Sequence, residues 1–268
     1  MSAIIGIVAA LAMVILAAVS DGDPISSLFS VTAVLIVFGG TSAAVTTQFG
    51  VKGVLSAGAR FKWLVKPPVV DMHAFIEQVA AWSNLARSQG ALALESELET
   101  VEDPFQKQGL QMIIDNTAEE DMLPTLEAMA ANAAREDTVA SEVWEAAGGY
   151  LPTIGVMGAV LGLIHVMMEL DHPASLGVGI ATAFVATIYG VGSANLIALP
   201  LGARLGILAE ARERERHLII QGLMLLKQGK SGILIRQTMQ NLLAKDNRKK
   251  PEEVQTDVAE GDALAEAV

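Results

Sequence analysis

The sequence predicts an all-α membrane protein, with four transmembrane helices and long cytoplasmic helical extensions. Four stretches contain no Asp, Glu, Lys or Arg: 1–20, 24–51, 146–168 and 173–203. Each stretch has room for the roughly 20 residues that an α-helix needs to cross a bilayer. Backbone amides cannot stay unpaired in lipid, and continuous apolarity favours helices. Charged residues crowd into 52–145 and 204–268, which are therefore expected in water.

Composition excludes several classes of function. The 268 residues are 52% hydrophobic, with a mean hydropathy of +0.45 and a net charge of −12. Nucleic acid is not expected as a partner, because phosphate binding needs clustered Lys and Arg. There is no Cys, and the His residues show no metal-ligand spacing; they are His73, His165, His172 and His217. We expect no enzyme, no metal and no cofactor, since no nucleophile, base or metal cluster gathers in one place.

The uncharged stretches divide the chain into five segments. Residues 1–51 form a transmembrane hairpin with spans at about 3–20 and 28–49, and residues 52–145 form a helical region. Residues 146–203 form a second hairpin with spans at about 147–168 and 175–203. A helical extension at 204–244 and a disordered, charged and Ala-rich tail at 245–268 follow.

Loop charges predict the orientation. The two turns on one side carry only acids, namely Asp21, Asp23, Glu169 and Asp171. Basic residues follow the second and fourth spans: Lys52, Arg60, Lys62, Lys66, Arg204, Arg212, Arg214 and Arg216. Because basic residues near span ends stay in the cytoplasm, both termini and 52–145 are expected inside. The first span is expected to be retained rather than cleaved as a signal peptide, because no Lys or Arg precedes it.

Capping patterns predict helices in the inner region. Asp103 followed by Pro104 is typical of an N-cap with proline in the first turn. Thr117 with Glu120 matches a capping box. No Gly or Pro lies between Pro124 and Gly148. A long helix, with Pro124 as the site of a kink, is therefore expected to run directly into the third span.

Small residues form matching faces on the last two spans. The third span carries Gly155, Gly158 and Gly162, and the fourth carries Ala183, Thr187, Gly190 and Ala194. These recur at three- and four-residue steps, which places each set on one helical face. Small residues allow helix backbones to approach closely in lipid. The faces either pack within one chain or pack against other subunits and line a shared pore.

Two prolines lie in the predicted cytoplasmic part of these spans. Pro152 follows Glu145 by seven residues, and Pro200 precedes Arg204 by four. Each proline removes a backbone donor and frees a carbonyl, which favours a kink. Two such sites at similar depth predict a place where helices flex or a partner docks.

Polar groups at mid-depth are few. Thr187 and Ala159 lie near the middle of their spans. The Thr187 hydroxyl either bonds to its own helix or faces an ion path. His165 could titrate, but it lies near the far end of the third span and is interpreted as an interfacial residue. The spans therefore supply no acid that could carry an ion.

The motifs, taken together, resemble the MotA/PomA family of flagellar stator proteins within the MotA/TolQ/ExbB proton channel superfamily. LPTIGVMGAVLGL at 151–163 resembles the third-span signature of that family, and 183–200 resembles its fourth span. ARSQGALALE at 86–95 is similar to the A-R-x-x-G-x-x-x-L-E element, and 221–243 is similar to the post-membrane helix. One departure is Gly229-Lys230-Ser231-Gly232, where the family often has a proline.

The resemblance implies a role in flagellar rotation, motility and chemotaxis at the bacterial inner membrane. It implies a homo-oligomer, expected as a pentamer, around a dimer of a MotB/PomB-type single-span partner that carries the ion-binding Asp. Arg87 and Glu95 would contact the FliG-type rotor switch-complex protein. If one helix continued through Gly90, they would be two turns apart, roughly 12 Å. Pro152 and Pro200 would take part in ion-driven conformational change.

The resemblance also bears on the transported ion. Sodium-type relatives tend to carry a hydroxyl at the position of Ala159 as well as at Thr187. Ala159 supplies no oxygen ligand, which favours H⁺, although the fourth span is similar to the sodium-type pattern and Na⁺ is the alternative. The rival function is a TolQ/ExbB-type energiser of outer-membrane processes, whose family implies three spans. A free-standing transporter would show intramembrane charges or broken-helix sites, and this sequence shows neither.

Overall fold

The computed structural model describes residues 2–20, 29–68, 70–168 and 173–249, and these are helices joined by turns, without a strand. We number the helices in chain order. They are α1 (Ser2–Ser20), α2 (Val31–Val34, Leu35–Gly39 and Gly40–Arg60 in succession), α3 (Met72–Gln89), α4 (Glu95–Leu98), α5 (Pro104–Ile114), α6 (Glu119–Met168), α7 (Pro173–Ser193, Ala194–Ala198 and Leu199–Lys227 in succession) and α8 (Gly232–Lys249). The middle pieces of α2 and α7 are π-helical, and short 3₁₀ turns cover Phe61–Leu64 and Ala91–Leu94.

The chain forms two compact units. Unit 1 comprises Met1–Pro68 with Ala133–Ala211, and unit 2 comprises Val69–Asn132 with Arg212–Val268. These limits differ from the predicted segment boundaries because α6 and α7 continue beyond the uncharged stretches, and α2 resumes after a kink at Gly50 and extends to Arg60. A sequence boundary marks where charge begins, whereas a unit boundary marks where packing changes.

Unit 1 carries the apolar helices. Among the described residues, three helices are long and apolar enough to cross a membrane, within Val31–Leu64, Glu119–Met168 and Gly179–Lys227. The apolar stretch Ile4–Ala17 within α1 is shorter than the roughly 20 residues of a full span. The all-helical prediction is therefore confirmed for the described residues, while a fourth span stays a prediction.

Helix α6 runs without a break for 50 residues, as the sequence predicted. The N-cap of α5 is also as predicted, because the Asp103 carboxylate accepts from the backbone amides of Phe105 and Gln106. The capping box at Thr117 is wrong, since α6 begins at Glu119 and Ala118 directly precedes it. The Ala118 carbonyl accepts the first bonds of the helix, from the amides of Asp121 and Met122.

Several predicted segments end elsewhere or lie outside the described residues. Helix α8 continues to Lys249, so the first five residues of the predicted tail at 245–268 are helical. The rest of that tail, and the acidic turns that carry Asp21 and Glu169, lie outside the described residues.

Unit 2 has an apolar core of its own. Helices α3, α5 and α8 pack around the first turns of α6 and the last turns of α7, through large side chains that are fully buried, such as Phe75, Trp82, Leu110, Met122 and Leu223. The Asp71 carboxylate starts α3 by accepting from the amides of His73 and Ala74. This core is typical of a water-soluble helical domain, in contrast to unit 1.

Close glycine contacts join α6 to α7 in unit 1. A Cβ added to Gly190 would lie 2.6 Å from the Leu151 carbonyl oxygen and 2.9 Å from the Gly155 Cα. At Gly158 it would lie 3.0 Å from the Ala186 Cβ, and at Gly162 it would lie 3.2 Å from the Ala183 Cα. The two backbones are therefore in direct contact along the faces that the sequence singled out, and the partner face belongs to the same chain.

A buried ion pair joins α2 to α6 where the charged residues begin. Arg60 donates from Nε at 3.1 Å and from Nη2 at 3.0 Å to the Asp137 Oδ1. Its side chain is 16% exposed and that of Asp137 is 6% exposed. Arg60 also donates to the Ser56 hydroxyl and lies over the Trp63 ring, 5.5 Å from its centroid. Two helices of unit 1 are thereby fixed to each other by charge as well as by apolar contact.

Replacing Gly190 with alanine should separate α6 from α7, because the new methyl group has no space beside Leu151. We expect a loss of about 1–3 kcal/mol in the stability of the purified membrane protein, measured by thermal or denaturant unfolding in detergent. Gly192→Ala on the same helix is the matched control, since nothing lies within 4 Å of a Cβ there. Equal stability of the two variants would contradict the packing.

Replacing Asp137 with asparagine should leave the Arg60 guanidinium without its buried partner. We expect a loss of about 2–3 kcal/mol in the same unfolding measurement. The control is Glu136→Gln, because Glu136 is 79% exposed and 3.8 Å from Arg60. Such an exposed pair contributes about 0–1 kcal/mol. An Asp137→Asn variant as stable as the control would show that the pair does not hold the helices.

Candidate functional site

The mid-depth residues Ala159 and Thr187 lie at the same level of unit 1. Each directly follows one member of the close contact between Gly158 and Ala186. Both side chains are half-buried. The Thr187 hydroxyl donates to the Ala183 carbonyl of its own helix at 3.4 Å, which is the first of the two alternatives for this residue. Its lone pairs stay available as acceptors.

Residues near Pro152 and Pro200 pack against each other. Pro152 lacks the amide that would bond to the carbonyl of Gly148, one turn earlier in α6. A Cβ on Gly148 would lie 2.6 Å from the Leu199 Cγ, and Leu199 directly precedes Pro200. The π-helical piece Ala194–Ala198 ends just before this point. The turn of α6 that precedes Pro152 is therefore packed against α7 where its π-helical piece ends.

A cleft in unit 1 opens beside the glycine contacts. Its volume is about 560 Å³. Apolar residues and glycines line most of it, and its polar side chains come from Thr32, His165 and Thr182. His165 therefore faces a cleft in this chain, in addition to lying near the end of its span as the sequence indicated.

Arg87 and Glu95 are exposed in unit 2, on separate elements. Arg87 lies in the last turn of α3, which ends at Gln89, and Glu95 begins α4. Gly90 has φ +89°, a conformation that side chains other than glycine rarely adopt. Arg87 and Glu95 therefore do not lie on one continuous helix, as the 12 Å separation would require, because the backbone turns at Gly90.

Buried anchors hold the segment that carries Glu95. Leu94 is fully buried in the core of unit 2. The indole Nε1 of the buried Trp82 donates to the Glu97 carboxylate at 3.4 Å. The 3₁₀ turn Ala91–Leu94 and helix α4 are thus fixed beside α3, so Arg87 and Glu95 are presented from a rigid surface.

Helix α8 is bound to α3 through contacts at Glu77 and Ser83. The guanidinium of Arg236 donates to both carboxylate oxygens of Glu77, at 2.7 and 2.6 Å. This hydrogen bonding lowers the pKa of Glu77 below its ordinary value and raises that of Arg236. The Ser83 hydroxyl, buried in unit 2, donates to the Lys230 carbonyl at 2.6 Å. Sequence analysis assigns no role to Glu77, Ser83 or Arg236.

The buried ion pair of unit 1 was also missed by sequence reasoning, which treated Arg60 only as a marker of orientation. A signal was nevertheless present. Asp137 shares one helical face with Ala130, Ala134 and Ser141, all of which are buried. A carboxylate on an otherwise small and buried face predicts a cationic partner. The Ser141 hydroxyl on that face donates to the Gly202 carbonyl of α7 at 2.9 Å.

Among the residues that the structure describes, no group of three or more His, Asp or Glu is placed to hold a metal ion. Unit 1 offers backbone carbonyls, the Thr187 hydroxyl and the polar side chains of the cleft between tightly packed helices. Unit 2, considered by itself, offers the exposed opposite charges of Arg87 and Glu95.

Comparisons with known proteins agree on one family. The model of the MotA/TolQ/ExbB proton channel family matches residues 97–217. Motility protein A of Bacillus subtilis is 32% identical over 92% of this chain and 93% of its own. The structure of the flagellar MotAB stator complex from B. subtilis matches with a TM-score of 0.80 and 31% identity, over 93% of this chain and 98% of that chain. The C. jejuni MotAB structure matches with a TM-score of 0.81 and 26% identity, over 90% of this chain and 94% of that chain. The chain therefore belongs to the MotA/TolQ/ExbB proton channel family, as a flagellar motor stator protein of the Motility protein A type.

Proposed function

We propose that this stator protein surrounds an ion-carrying partner and converts ion flow into torque on the flagellar rotor. The observation that carries the proposal is the separation of long uncharged stretches from exposed charges. The closely packed helices of unit 1 contain long stretches without a charged residue, whereas unit 2 presents Arg87 and Glu95 on a fold with its own apolar core. The full-length matches to motility proteins favour this role over that of a TolQ/ExbB-type energiser.

Unit 1 is proposed to span the bacterial inner membrane four times, with both termini in the cytoplasm. Its helices expose many large apolar side chains, such as Ile5, Leu35, Leu55, Met157 and Phe184. Lipid is the solvent that suits such surfaces. Helix α1, with 19 residues, would be about 28 Å long and could serve as the fourth span.

The partner is proposed to be a MotB/PomB-type single-span subunit. The uncharged stretches of this chain contain no acid, and an ion path through a membrane normally uses an ionisable group. An aspartate on the partner would supply it. The relatives of known structure are MotAB complexes, which supports a partner of this type and a homo-oligomer around it, with five copies around a partner dimer as the proposed arrangement.

The ion is proposed to be H⁺, passing near Thr187 and Ala159. A sodium ion needs several oxygen ligands to replace its water, and Ala159 has none to offer. The Thr187 hydroxyl already donates its hydrogen to the Ala183 carbonyl. It can therefore interact with a passing ion or water only through the lone pairs of its oxygen. A proton needs only an acceptor and a water path.

The coupling step is proposed to act at the contact between Gly148 and Leu199, beside Pro152 and Pro200. A helix with a missing hydrogen bond bends at lower cost than a regular one. Neutralising the partner's carboxylate would change which helices attract it, and the two irregular sites would adjust together. One elementary charge crossing 100 mV supplies about 2.3 kcal/mol, which suffices for a small repacking of this kind.

Arg87→Glu tests the proposed rotor contact. We expect loss of swimming and about a tenfold weaker affinity for the FliG-type switch-complex protein, because the local charge is reversed. Membrane insertion and co-purification with the partner should be unchanged, since Arg87 is exposed. Lys107→Glu, an exposed reversal on α5, is the control. Normal torque in the Arg87→Glu strain, measured on tethered cells, would refute the contact.

The proposed transport of H⁺ makes motility dependent on the proton gradient. Motility driven by this stator should stop when a protonophore collapses the proton gradient and should continue in medium without sodium. The reason is that the path offers too few oxygen ligands for Na⁺. Swimming that survives the protonophore but requires sodium would assign Na⁺ instead.

A further inference from the structure

Few large apolar side chains of unit 2 are exposed, and two of them are adjacent in the chain. Among the described residues of this unit, the large apolar side chains that are exposed are Leu92 at 69%, Ile233 at 68% and Leu234 at 44%. Leu92 lies in the 3₁₀ turn between Arg87 and Glu95, and the other two lie in the first turn of α8. Single exposed apolar residues such as Leu92 need no explanation, whereas the adjacent pair Ile233 and Leu234 forms a small apolar patch.

The first turn of α8 is fixed close to Arg87. A Cβ on Gly232 would lie 2.7 Å from the Ala80 carbonyl oxygen and 3.0 Å from the Asn84 Oδ1. Residues 80, 84 and 87 share one face of α3, and Arg87 lies about 4.5 Å further along the axis than Asn84. A helical side chain leans towards the N-terminus of its helix, so that of Arg87 covers the surface next to Asn84.

Three contacts hold α8 in this position. The Ser83 hydroxyl bonds to the Lys230 carbonyl, Gly232 packs on α3, and Arg236 pairs with Glu77 one turn further along. Gly229 has φ +66° and directs the chain into this turn. Ile233 and Leu234 are therefore held on the surface by structure, and they do not turn inward to the core as their neighbour Ile235 does.

We propose that Ile233 and Leu234 form an apolar anchor within the surface that contacts the rotor protein. This inference rests on the proposed function of Arg87 and Glu95. The partner would present apolar side chains flanked by an acid, which meets Arg87 and Lys230, and by a base, which meets Glu95. Protein interfaces commonly combine an apolar centre with a polar rim, and the centre supplies most of the affinity.

Salt dependence separates the apolar contribution from the charged one. Exposed charge pairs are screened as ionic strength rises, whereas apolar burial is not. A double variant that carries Ile233→Gln and Leu234→Gln should therefore weaken rotor binding by the same factor at low and at high salt. Arg87→Gln should weaken it mainly at low salt.

The experiment uses the intact stator complex in detergent and the purified FliG-type switch-complex protein, titrated at about 50 mM and about 300 mM NaCl. We expect the double glutamine variant to raise Kd about tenfold or more at both salt concentrations. Ala244→Gln, an exposed change on the same helix about 16 Å from Ile233, should leave Kd unchanged. Circular dichroism and the mass of the intact complex check that each variant is folded and assembled.

The outcomes distinguish the two proposals. If the double variant binds normally while Arg87→Gln is impaired, the apolar anchor is refuted and the rotor contact stands. If neither variant affects binding, both fail. If the double variant changes the copy number of the complex and leaves rotor binding intact, the apolar residues face a neighbouring copy of this chain, which also overturns the inference.

Discussion

Direct backbone contact between α6 and α7 is the constraint on which unit 1 depends. At Gly190 the distance to the Leu151 carbonyl leaves no room for a methyl group, and the contact repeats at Gly158 and Gly162. In lipid there is no hydrophobic force to press helices together, so close van der Waals packing must do so. Larger residues at these positions would separate the helices and remove that attraction.

The same packing explains how two prolines are accommodated. Pro152 and Pro200 would each weaken an isolated helix, yet Gly148, one turn before Pro152, packs against Leu199, which directly precedes Pro200. The π-helical piece of α7 ends just before Leu199. Where charged residues begin, the Arg60–Asp137 pair fixes α2 to α6.

Unit 2 follows the rules of a soluble protein. Its core is built from large apolar residues, and Leu92, Ile233 and Leu234 are the large apolar side chains exposed among its described residues. Arg87 and Glu95 are exposed on two separate elements, α3 and α4. The start of α8 packs on α3 through Gly232, and Leu94 anchors the turn before α4 in the core.

The sequence alone determined the helical class, the apolar stretches, the cap at Asp103 and the faces of small residues, since each depends on periodicity and local chemistry. Tertiary structure decided which surfaces meet. The pairing of Arg60 with Asp137 joins residues far apart in the chain, and no local pattern encodes such a distance. The turn at Gly90 likewise places Arg87 and Glu95 on separate elements. A single glycine in the sequence can either continue a helix or end it. Here the helix ends, and Leu94 after the turn is buried in the core.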